Sequence, residues 1–353
     1  MKWFTRSLIT ISWLILIFSC LYLPKWEFLS NKDSLNVFAW GDILDPAAIA
    51  EFEKESGIKV NLNYYSSNEE LLVKLKVTKG EGYDLIIPSD YAVLLLKNEG
   101  LLKELNYSKL GFLNRINPRL LHHNYDLENK YSIPYEWEIF GLGIDKDYFK
   151  DRPLIPSWKM IFDRAFVNYK IAMTNDPAEA LPLAAFYLFK QVNPLNASQI
   201  QDVKNLLLTQ KAWVEAYASF RGDYFLATKN CPVVFASSSY IWRTMKLFPF
   251  VDFIVPEEGS FITIENLCIP KASNKEEAVY KLINFLYRPH IIQRHFELFG
   301  FFPPTLDAFS TFSLDEKAKR WVYASEEDFS KFHFFRPIVS SQQLRDLWVE
   351  LKE

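Results

Sequence analysis

Glycine and histidine are scarce in this 353-residue chain, with 11 and five copies. No GxxxxGK[ST] or GxGxxG stretch occurs, so little glycine-rich backbone can cradle a phosphate, and nucleotide binding is disfavoured. The histidines show no HExxH or comparable ligand spacing, so no metal or other cofactor is expected. His122 and His123 read as a surface loop, and His290 and His295 as residues that cap or solvate a helix start. Only three cysteines are present, without a CxxC, which excludes a disulfide framework and a zinc or redox motif. Cys231 and Cys268 are expected as free core thiols, with a single bridge between them left open. The net charge is −3 and no Lys/Arg run exceeds two residues, so there is no basic footprint for nucleic acid.

What is present is a chain with 49% apolar and 24% charged residues, the balance of a soluble globular protein whose length suggests two domains. Lys2 and Arg6 precede an apolar stretch from Leu8 to Leu23 that Pro24 and Lys25 end, the pattern of an export signal. Residues 1–23 are read as this signal or lipoprotein segment and 24–34 as a linker. Ile17, Phe18, Ser19 and Cys20 form a loose lipobox. Three fates stay open: lipidation at Cys20, ordinary signal cleavage, or retention as an anchor.

Strands and helices then alternate. "LNVFAW" is a short buried strand; Asp45, Pro46 and Gly57 punctuate the helix that follows; "IKVNLNYY", "NEELLVKLKVTKG", "YDLIIP" and "SDYAVLLLKNEG" repeat the alternation. A second such region begins at "KIAMT" and includes "PVVFA" and "FIVP". The expectation is an α/β protein with a largely parallel sheet in each half. "YSIPYEWEIFGLGID" and "FITIENLCIP" read as extended segments crossing between the halves. Ligands gather beyond the carboxyl ends of strands in such sheets. Acids and aromatics dominate those positions.

In "TNDPAEAL", Asp176, Pro177 and Glu179 fit a capping box, and the positive helix end is expected to keep both carboxylates ionised. A cap and a site for a cationic ligand are compatible readings of the same turn. Glu265 stands between the apolar runs "FITI" and "NLCIP", where an unpaired acid is costly, which favours a site role. Ser89 reads as a helix cap or a ligand contact. Trp40, Phe235 and Phe301 read singly as core or site, and Tyr240 and Trp242 as interior packing. Glu136 and Glu138 read as solvated charges. They also leave open an exported hydrolase built on paired acids, since a dispersed catalytic set carries no sequence signature.

Taken in order, "FAWGD", "FEKESGIKVNLNYYSSNEELLVKLK", "YDLIIPSDYAV", "YSIPYEW", "TNDPAEA", "FITIENLCIP" and "KLINFLYRPH" resemble the spermidine/putrescine-binding proteins of bacterial ABC importers. The resemblance implies a two-lobed type II periplasmic-binding-protein fold with a central ligand cleft and crossover hinge segments. It places residues 35–139 and 265–313 in one lobe and 140–264 and 314–353 in the other. It implies a monomeric, exported, periplasmic receptor, with or without a lipid anchor, that performs no catalysis and hands a polyamine to the permease subunits of an ABC transporter. The ligand-contacting positions it carries over are Trp40, Ser89, Tyr91, Asp176, Glu179, Phe235, Glu265 and Phe301. Gly41, Ile43, Phe235, Thr263 and Glu265 depart from the family pattern, which leaves open which polyamine or other cation is preferred. A same-fold receptor for a cationic amino acid, a sugar or a metal chelate is the alternative. A carboxylate-bearing ligand would want an arginine such as Arg221 or Arg243 in the cleft.

Overall fold

The computed structural model describes residues 34–218, 221–310 and 325–353, together with Trp13. Cys20 and the rest of the apolar segment around Trp13 lie outside the described residues. No described helix is long and apolar enough to cross a membrane.

The chain enters through β1 (Ser34–Trp40), in which Leu35, Val37, Phe38 and Ala39 are fully buried because a central parallel strand is covered on both faces. Asp45 then caps α1 (Pro46–Ser56) by accepting from Ala47 N, and Gly57, at φ 73°, takes the left-handed turn that ends it. β2 (Lys59–Tyr65), α2 (Asn68–Thr78), β3 (Leu85–Ile86) and α3 (Asp90–Asn98) follow. The three strands form a parallel sheet in the order β2-β1-β3. Of the expected strand "YDLIIP" only Leu85 and Ile86 pair with β1 as ladder residues. Pro88, which has no N–H to give, closes the run.

The second region contains β4 (Ile133–Asp145), β5 (Ile171–Thr174), α4 (Pro177–Phe189), α5 (Ala197–Gln210), β6 (Val214–Ala218), β7 (Val233–Ser237), α6 (Ser238–Leu247), β8 (Val251–Ile254) and β9 (Ser260–Leu267). After it come α7 (Glu276–Leu286), α8 (Pro289–Phe299), β10 (Phe332–Phe334) and α9 (Ser341–Lys352). The larger sheet runs β10-β9-β4-β7-β5-β6, with β8 also on β4. A largely parallel sheet was the expectation for this half. β5 is indeed parallel to β6 and β7, but β4 is antiparallel to β7, β8 and β9. The reason is its route: β4 and β9 are the two segments that pass between the halves, and they do so in opposite directions.

Two hydrophobic cores show that passage. Ile133 at the start of β4 and Leu267 at the end of β9 pack in a core with Leu35, Val37, Leu85 and Ile283. Phe140, Leu142 and Ile144 of β4 and Phe261 of β9 pack in another with Trp158, Leu183 and Val233. The middle of the β4–β9 ribbon therefore spans the seam between the cores. Cys231 and Cys268 are buried free thiols in separate clusters.

Candidate functional site

At the middle of that ribbon Glu136 of β4 lies opposite Glu265 of β9, and Glu138 opposite Thr263. Residues directly opposite on an antiparallel pair share a face, and so do positions two apart along a strand, so three acids look the same way. Glu136 is completely buried, whereas Glu138, Thr263 and Glu265 are half-buried. The expectation that Glu136 and Glu138 are solvated is overturned for Glu136, which has no exposed surface, and cut back for Glu138, which keeps only part of its own, because β4 is paired with β9 and otherwise buried along its length.

The end of β1 brings Trp40 to this row, and its Nε1 donates to Glu265 Oε2 at 3.1 Å. The Trp40 ring lies 4.6 Å from that of Tyr65. Ser89 forms a backbone bridge with Glu265. Ser89 occupies the N-cap position of α3 but makes no side-chain cap bond, and its buried Oγ has no partner among the described residues. The next residue, Asp90, pins α3 to β9 by accepting from Ile264 N at 2.9 Å.

From the other side β5 ends in Thr174 and feeds α4. Asp176 caps α4 as expected, accepting from Ala178 N at 2.8 Å. The capping box does not form. Glu179 Oε2 instead accepts from Thr174 Oγ1 at 2.6 Å, and Thr174 Oγ1 accepts from Asp176 N at 3.0 Å, so a threonine takes over the backbone donor that the box assigns to the glutamate. Asp176 sits exposed at the rim and Glu179 half-buried below it. Charges from the other half reach this turn: Glu69 of α2 acts on Asp176 and on Tyr91, and Glu138 acts on Glu179.

Loss of water dominates the electrostatics. Burial first, and then the Asp176 charge, push Glu179 up to about 8. Burial lifts Asp90 to about 7 and Glu265 well above the carboxylate range, the latter reinforced by the charges of Asp90 and Glu138. Glu138 and Asp176 are raised as well, again chiefly by burial. The helix end thus does not pull Asp176 and Glu179 below their ordinary values; both are raised, because desolvation outweighs the N-terminal partial charge of α4. Among the described residues, none of Asp90, Glu138, Asp176, Glu179 and Glu265 has a lysine or arginine nitrogen within 4.0 Å.

His295, expected to cap or solvate a helix start, is instead buried inside α8 with its Nε2 against Glu136 Oε2, and burial lowers it to about 3. His290 is exposed, 3.3 Å from Glu51. Phe301 is half-buried and stacks on His295 at 6.2 Å between ring centroids. Phe235 is buried, 5.7 Å from the ring of Phe140 and 6.1 Å from that of Trp158. Tyr91 is half-buried. Arg221 pairs with Asp223 at 3.4 Å, while Arg243 lies 4.5 Å over the Tyr240 ring and attracts Glu138. Tyr240 also feels Asp42 and Glu138, and Trp242 packs on Phe296. Sequence reasoning missed Glu69, Asp90, Glu136 and Glu138 as members of this constellation. The signal for the last two was there: two acids with strand periodicity inside an otherwise apolar crossing segment.

Two α/β halves joined by strands that run both ways, with a hydrogen-bonded acidic row at the seam, define a class of ligand-binding receptors rather than a structural repeat or a nucleotide enzyme. The chain belongs to the bacterial extracellular solute-binding protein family, whose model matches residues 47–321. It is 29% identical over 307 residues to the spermidine/putrescine-binding periplasmic protein of Salmonella typhimurium, covering 86% of each chain. It is 28% identical over 343 residues to the putrescine-binding periplasmic protein SpuD of Pseudomonas aeruginosa, covering 92% of this chain and 93% of that one. The crystal structure of the spermidine/putrescine ABC transporter substrate-binding protein PotD from Streptococcus pneumoniae superposes with a TM-score of 0.78 at 26% identity, over 91% of this chain and 98% of that one. The fold is accordingly the two-lobed periplasmic-binding-protein fold.

Proposed function

We propose that the protein is an extracytoplasmic receptor that captures a linear polyamine between its lobes and delivers it to the permease of an ABC transporter. The observation that carries this reading is the convergence of Glu138, Glu265, Asp176 and Glu179 from both halves, each raised chiefly by burial and, among the described residues, none with a lysine or arginine nitrogen within 4.0 Å. Buried carboxyls need a counter-charge or a proton, and a flexible chain of ammonium groups supplies several counter-charges at spaced points. Trp40, Tyr91 and Phe301 flank the methylenes, at about 0.8 kcal/mol per CH₂ removed from water. Ser89 Oγ supplies a further acceptor. The names of the relatives above point to the same ligand class.

The lobe division at residues 35–139 with 265–313 and 140–264 with 314–353, a monomeric state, and lipidation at Cys20 are parts of this proposal. The two cores support the division, since each gathers described residues from one of the two sets.

Calorimetry with spermidine and putrescine against a panel of amino acids and sugars tests the reading. Micromolar binding of a polyamine, roughly 8 kcal/mol, is expected with no response to sugars. Stabilisation by an amino acid alone would move the assignment to the alternative ligand class, with Arg243 as the carboxylate partner. Cys20→Ser tests the anchor: the variant should leave the membrane fraction for the soluble one.

A further inference from the structure

Glu138 is not among the contacts that the resemblance implies, yet it stands in the middle of the acidic row. It lies opposite Thr263 on the face that carries Glu265 and Glu136. Two positions along a strand are about 7 Å, close to the spacing of about 6 Å between nitrogens joined by an extended four-carbon chain, and the carboxyl ends can lean together to make up the difference. Its charge acts on Glu265 in one direction and on Glu179 in the other, so both ends of the row feel it. Unlike Glu136 it keeps exposed surface beside an equally half-buried Thr263. The neighbouring Ser89, 4% exposed and bridged to Glu265, has an Oγ without a partner among the described residues, which independently marks this row as a place for a donor.

Two other roles compete for Glu138. Its Oε2 accepts from Ser239 Oγ at 2.5 Å, in the first turn of α6, whose N-cap Ser237 makes no side-chain cap bond. Capping accounts for that contact but not for a half-buried carboxyl on the face of Glu265 whose charge acts on both Glu265 and Glu179. Arg243, a turn further along α6, attracts Glu138 but stacks on Tyr240 and comes within 4.0 Å of no carboxylate oxygen of Glu138.

We propose that Glu138 is the central ammonium station of the cleft. It receives the internal secondary amine of a triamine whose terminal amines go to Glu265 and to the Asp176–Glu179 turn, and so sets a preference for triamines over diamines. This rests on the polyamine reading above. A four-carbon diamine fills only two of the three stations, whereas a triamine with three- and four-carbon spacers fills all of them.

The test compares spermidine, putrescine and diaminooctane, a diamine as long as spermidine with a methylene in place of the internal amine. Affinities are measured by calorimetry for the unaltered protein, Glu138→Gln and Glu138→Asp. Glu138→Gln should weaken spermidine by about 30-fold or more, as for a desolvated charge pair losing a partner, and Glu138→Asp should recover part of the loss. Diaminooctane should change by less than about threefold. Equal losses for spermidine and diaminooctane would assign Glu138 to capping or to the general field, and unchanged spermidine affinity would remove it from the site; either overturns the proposal. If the unaltered protein binds none of the three amines, the polyamine reading itself fails, a result that no Glu138 variant is needed to see. Thermal unfolding of the ligand-free variants reports the capping role separately.

Discussion

The indole of Trp40 donates to the carboxyl of Glu265 at 3.1 Å, joining residues 225 positions apart in the chain. That bond fixes the acid's direction and places an apolar ring beside the nitrogen it would receive. Glu265→Ala should therefore weaken polyamine binding by about 2 to 5 kcal/mol, and Trp40→Phe, which keeps the ring but loses the donor, by about 1.5 to 3. Calorimetry measures both. An unchanged Kd in Glu265→Ala would falsify the placement of the site.

Asp176 caps α4, and the proposed function gives it a second role as a ligand acid; two substitutions separate the two. Asp176→Asn retains a capping oxygen, so stability should hold while polyamine affinity drops. Asp176→Ala should lose about 1 kcal/mol of stability in addition, read by urea unfolding. If Asp176→Asn binds spermidine normally, the residue is a cap alone.

Glu179 makes stability and binding depend on pH. Its folded value of about 8 stands above the unfolded value near 4.3, so the folded protein holds a proton that the unfolded chain has released. The stabilisation is fully present below the unfolded value and is lost as pH rises through about 8. Asp90, at about 7, acts in the same sense. Thermal unfolding of the ligand-free protein should shift down between about pH 6 and about pH 8, and Glu179→Gln should flatten part of that slope. An ammonium ligand favours the ionised acid, so binding should release protons and tighten over the same interval. Calorimetry in buffers of different ionisation enthalpy detects the release.

Glu136 and His295 form a buried pair under the row, and each is the other's only polar partner among the contacts described for their side chains. His295→Leu or Glu136→Leu should each cost about 3 kcal/mol or more by leaving one polar group stranded, and the double substitution should cost less than the two singles combined. Denaturant unfolding of the four proteins closes the cycle; additive losses would show that the pair is not coupled.

Much of the fold was legible because local signals are strong where backbone needs are local. Asp45 and Pro46 open a helix and Gly57 closes it, just as periodicity and capping preference dictate. β4 and β9 were recognisable as crossing segments from their long apolar runs. The direction of β4 against its neighbours was not, since pairing depends on where each strand re-enters the sheet and not on its own residues.

The chain by itself determined the alternation of elements, the caps and the presence of acids at strand ends and within a crossing segment, because each of these is set by a few adjacent residues. Tertiary structure alone decided which acids meet. Glu265 faces Glu136 through strand register, Thr174 displaces Asp176 as the partner of Glu179, and His295 leaves solvent to pair with Glu136. Those outcomes depend on burial, which strips water from groups distant in sequence and makes each one's protonation and partner a property of the assembled seam.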